Sequence, residues 1–108
     1  MNPFESPLSK FVVLESMIQF YAPLDVVSEK FYQAWTKWHL NGLGEAYGFC
    51  LTFKASGKPF VVKTLVNTVG LDETLPIEWH IDAGDLATAE LAFRHLGLPD
   101  GACTWRKS

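Results

Sequence analysis

Residues Asp25 to Leu40, DVVSEKFYQAWTKWHL, constrain the fold more than any other stretch. At ~100° per residue, Val27, Phe31, Ala34, Trp35 and Trp38 fall within one narrow arc. Glu29, Lys30, Gln33, Thr36 and Lys37 fall on the other side. The pattern predicts an amphipathic helix with Asp25 as its N-cap and Asn41-Gly42 at its end. Such a helix must bury its apolar arc against a second layer. A half-polar line, Ser28, Tyr32, Trp35 and His39, runs beside the arc at helical spacing. Aromatic side chains with polar tips suit a surface that is dry at one end and wet at the other. Tyr32, Trp35 and His39 are therefore the candidate ligand or partner surface; the plainer reading is a boundary row between core and solvent.

The rest of the chain supplies the second layer. Leu8 to Tyr21 fits a helix better than a strand. Phe11, Leu14, Met17, Ile18 and Tyr21 gather on one side, whereas Val12, Leu14, Ser16, Ile18 and Phe20 mix both types. Ser6-Pro7 would open this helix and Pro23 would stop it. Tyr47 to Lys54 alternates and predicts a strand; Ala55-Ser56-Gly57-Lys58 predicts a turn. Phe60 to Asn67 completes a hairpin and is apolar enough to be covered on both faces. Ile77 to Asp82 alternates cleanly, with Ile77, Trp79 and Ile81 opposite Glu78, His80 and Asp82. Asp82 or Asp85 caps a further helix with Leu86, Ala89, Ala92, Phe93 and Leu96 on its apolar face. Gly97 and Pro99 end it, and Ala102 to Trp105 offers an edge strand.

These elements predict an α+β, two-layer fold, with about three helices packed on a mostly antiparallel sheet of three to four strands. Residues 1–108 make a single compact domain, with 1–5 as a loose N-terminal arm. A chain of 108 residues with 48% hydrophobic content can bury a real core. Only 19% of residues are charged. So few charges leave apolar surface for a partner or a second copy.

Charge excludes one class. The net charge is −3, and the nine basic residues are scattered rather than gathered into a patch. Duplex binding normally requires such a patch, so no nucleic-acid partner is expected. The longest apolar run, Phe11 to Leu14, is far too short for a membrane span. The start, MNPFESPLSK, has no charged n-region followed by an apolar segment. Cys50 and Cys103 lie far apart without a CxxC. Together these features lead to an expectation of a cytoplasmic protein with reduced thiols.

One short pattern could carry chemistry. Glu78-x-His80-x-Asp82 projects three groups from one strand face, ~6–7 Å apart along the strand. A histidine moves protons near neutral pH, and a flanking carboxylate can orient it. His80, Glu78 and Asp82 are thus the candidate catalytic residues. A solvated sheet face shows the same spacing with no further purpose. His95, near a helix C-terminus, needs no role beyond favouring the helix dipole. Gly42-x-Gly44 follows a predicted helix and lacks a following Lys-Ser/Thr, so it is no phosphate loop. No cofactor and no metal site is expected.

The leading expectation is a small binding or interaction protein of unknown specificity, acting as a homo-oligomer through apolar and aromatic surface. Its partner is a second copy or another protein, with a small molecule as an alternative ligand. Two other readings remain: a small enzyme using His80 with Glu78 or Asp82, and an inhibitor, immunity or mobile-element accessory protein.

Overall fold

The computed structural model describes residues 3, 4, 14–31, 36–40, 44–66 and 70–108; for 36–40, 44–47 and 49 it describes the backbone alone. In chain order the elements are β1 (Glu15–Pro23), α1 (Leu24–Lys30), β2 (Thr36–Leu40), β3 (Gly44–Thr52), β4 (Pro59–Lys63), β5 (Pro76–Ala83), α2 (Leu86–His95), a 3-10 turn (Asp100–Ala102) and β6 (Cys103–Arg106). The strands form one sheet in the order β2-β3-β4-β5-β1-β6, and every neighbouring pair is antiparallel.

The α+β class stands, but the layer composition does not. The expected three helices on three to four strands give way, among the described residues, to two α-helices on six strands. Two stretches account for the difference. The expected helix over 8–21 is replaced where described by strand β1. Its alternation fails in the sequence because the ladder with β5 slips between Ser16 and Ile18. Met17 is the extra residue of this bulge. Met17 and Ile18 both join the core, and the in-out pattern resumes with Gln19, Phe20, Tyr21 and Ala22.

Among the described residues, the helix expected over Asp25–Leu40 is present as α1, which ends at Lys30 with Phe31 as its C-cap. Asp25 lies in the first turn rather than at the N-cap, which Pro23 occupies. Thr36–Leu40 is strand β2, paired with β3 from Thr36↔Gly48 to Leu40↔Gly44. Within this strand Thr36 and Trp38 are residue types that favour a pleated strand over a helix, and the edge of β3 receives it. The linker expected at Leu43 to Ala46 is correspondingly part of β3 from Gly44 onward.

Elsewhere local chemistry and fold agree. Gly57 takes the turn between β3 and β4 with φ 70°. In β4, Phe60, Val61 and Val62 are all buried, as a strand covered on both faces requires. Asp85 caps α2 by accepting from Thr88 N at 2.7 Å and Thr88 Oγ1 at 2.8 Å. These bonds, with Lys58 Nζ at 3.0 Å, hold the Asp85 carboxyl down at about 2. Gly97, at φ 68°, supplies the left-handed turn after α2.

Both helices cover one face of the sheet. Leu24 and Val27 of α1, Ala89, Ala92 and Phe93 of α2, and Ile77, Trp79, Ile81 and Ala83 of β5 share a single apolar cluster. Trp79 stacks on Phe20, with centroids 6.5 Å apart, and its indole N–H donates to Ala22 O at 3.0 Å. At one end lies an aromatic knot. Phe4, within the arm expected over 1–5, is buried against Phe31, Phe53, Phe60 and His95, with centroids 4.8 to 5.5 Å away. His95 Nε2 lies 2.7 Å from Lys30 O, where it donates to the carbonyl end of α1.

Phe31 is fully buried within this knot. Phe31→Ala should therefore cost ~3–5 kcal/mol as an unfilled cavity. The half-exposed Leu91 should cost within ~0.5 kcal/mol when replaced by Ala. Urea unfolding of both variants checks this; equal losses would mean that the knot is not part of the core.

Candidate functional site

The second face of the sheet, opposite the helices, holds the polar residues. Strand alternation turns Glu78, His80 and Asp82 of β5 onto it. Residues paired in register lie on the same face, so the neighbours can be read across the strands. Tyr21 is paired with Glu78. Trp105, Gln19, His80, Lys63 and Gly48 form the next row. Ser16, Asp82, Val61 and Cys50 form a third. Cys50 and Val61 are buried yet stand outside the apolar cluster on the helix side. Tyr21 and Trp105 are exposed. The face is thus closed toward β3 and β4 and open toward β1 and β6.

The three acid–base candidates do not form one chain of contacts. His80 Nε2 lies 3.2 Å from Glu78 Oε1, and the ring is largely buried, with 13% of its surface exposed. Tyr21 donates its hydroxyl to Glu78 Oε2 at 3.3 Å. Glu78 therefore orients His80 and is itself held by Tyr21. Asp82 turns elsewhere: its Oδ2 lies 2.6 Å from Lys63 Nζ. The Asp82 side chain is only 5% exposed, a depth at which a carboxylate needs a countercharge. Its other oxygen, Oδ1, has no hydrogen-bond partner among the described residues. Nor does the buried hydroxyl of Ser16, the residue paired with Asp82.

The bulge at Met17 explains why a hydroxyl sits there. With Gln19 on the second face, an unbroken strand would place Met17 on that face and Ser16 in the core. The one extra residue reverses this parity and sets Ser16 beside Asp82.

The other candidate surface is not assembled as one helical ridge. Tyr32 and Trp35 lie outside the described residues. His39 belongs to β2 and is paired with Glu45, and its side chain also lies outside them. Ser28 is on α1, so it and His39 do not share a helix.

Sequence reasoning passed over Lys63, Ser16, Gln19 and Tyr21 as neighbours of His80 and Asp82. Lys63 was legible in part, because it shares the parity of Val61 along β4. Ser16 was hidden by the bulge. Both cysteines are thiols. Among the described residues no group of His, Cys, Asp and Glu is placed to hold a metal ion, and no helix is long and apolar enough to cross a membrane. Comparison with protein-family models, curated proteins and solved structures gave no match.

Lys63→Met would strand the Asp82 carboxylate in the interior. The expected loss lies at the low end of the ~3–5 kcal/mol known for broken buried pairs, since Lys63 keeps 31% of its side chain exposed. Adding Asp82→Leu should restore most of it. Denaturant unfolding of the single and double variants measures both; no recovery in the double variant would mean that the pair does more than balance charge.

Proposed function

We propose that the protein is a small binding protein that works as a homo-oligomer, and that the contact between copies runs along β6. The observation carrying this reading is the character of that edge. Among the described residues no strand lies beyond β6. Trp105 on this strand is 43% exposed. The neighbouring helix α2, tied to β6 by the Glu90–Arg106 pair at 2.7 Å, leaves Leu91 47% exposed. An open strand edge offers unpaired backbone donors and acceptors to another chain, and a half-exposed Trp is a usual anchor of an interface. Two copies paired antiparallel through β6 would continue the sheet across a twofold axis. The two thiols agree with a reducing compartment such as the cytoplasm.

Light scattering coupled to size-exclusion chromatography should give the mass of two chains, and Trp105→Lys should give one chain with its fold retained by circular dichroism. A strict monomer at high micromolar concentration would remove this reading.

The Glu78–His80 contact favours a second reading, acid–base chemistry on a small substrate with His80 as the proton carrier. It requires slow but measurable turnover of simple activated esters or phosphoesters, lost in His80→Asn. Equal rates for wild type and His80→Asn would exclude it.

A further inference from the structure

Three polar side chains on the second sheet face, those of Ser16, Asp82 and Gln19, have no part in the self-association reading. Asp82 Oδ1 and Ser16 Oγ are buried, belong to residues paired in register, and have no hydrogen-bond partner among the described residues. A buried polar atom left unpaired is costly, so two of them on residues paired in register need a reason. The bulge at Met17 is the device that puts Ser16 there, and bulges recur where a side chain must be re-aimed toward a site. In the adjoining row stand Gln19 and His80, both only partly buried, toward the open side of the face.

The chemistry of these atoms selects the ligand. Asp82 Oδ1 can only accept a hydrogen bond, whereas a serine hydroxyl can donate one. A single alcohol oxygen answers both, giving its proton to Asp82 and accepting from Ser16. Charge argues for a neutral molecule. Lys63 already balances Asp82 at 2.6 Å, so a second cation would meet like charge. An anion would meet the Asp82 carboxylate directly and, two rows away, the Glu78 carboxylate beside His80. The Gln19 amide carries both a donor and an acceptor, and it can take a second hydroxyl of the same molecule. We propose that Ser16, Asp82 and Gln19 form a binding site for a small neutral polyol, such as a monosaccharide or cyclitol.

The test uses the full chain, labelled with nitrogen-15 and titrated separately with glucose, ribose, myo-inositol and glycerol. At least one should shift the backbone amide signals of Ser16, Gln19 and Asp82 saturably. Ser16→Ala removes an unpartnered hydroxyl, so it should melt no lower than wild type. It should weaken that binding about tenfold, which is ~1.4 kcal/mol. Gln19→Ala, at a partly exposed position, should weaken binding without changing the melt. Three results would overturn the proposal: no saturable shift with any of the four probes, equal affinity in Ser16→Ala, or a clear fall in the melting temperature of Ser16→Ala. The last would mean that the hydroxyl is held by a structural water. The outcome is separable from the number of chains, because each titration can be run on the wild-type chain at concentrations below and above those at which light scattering detects two chains.

Discussion

The antiparallel ladder between β1 and β5 is the constraint on which the rest depends. On one side it carries Ile18, Phe20, Ile77, Trp79 and Ile81, against which both helices are buried. On the other it carries Ser16, Gln19, Glu78, His80 and Asp82. Strand β6 exists as part of the sheet only because β1 is already in place, since it pairs with nothing else among the described residues. A slip of one residue in this ladder would exchange the two faces. The bulge at Met17 is a slip of that kind, confined to one end and kept.

What the sequence made legible was the part ruled by local signals. The turn at Gly57, the cap at Asp85, helix α2, the stop at Gly97 and the alternation of β5 all follow from residue type and spacing. What it concealed were two strands that tertiary pairing decides. In β1 the bulge broke the alternation on which recognition depends. In Thr36–Leu40 the residues also fit a helical wheel, because a five-residue strand is too short to establish a period of two against 3.6. Aromatic content was the better guide there, and the neighbouring edge of β3 settled the contest.

The site divides in the same way. Glu78, His80 and Asp82 were found from β5 alone, since one strand carries all three. Their partners were not, since Tyr21, Lys63 and Ser16 come from other strands and their register is a property of the folded sheet. That register splits the trio into two units, Tyr21–Glu78–His80 and Lys63–Asp82, with different burial and different chemistry.

The strand order has a kinetic side. The indole of Trp79 reaches a carbonyl 57 positions earlier in the chain, and strands β2, β3 and β4 are all made between the two partners of the central ladder. Neither short helix can supply a nucleus of its own, because helices of this length are marginal without a surface to cover. The hairpins β2–β3 and β3–β4 close locally, but the apolar face is completed only when β1 returns to β5 across that intervening chain. Completing that face therefore carries the entropy cost of closing one long loop, and non-local pairing of this kind goes with slow folding. Until the loop closes, both flanks of β1 and the outer flank of β5 are unpaired, and this interval is when the chain is most open to pairing with another copy of itself.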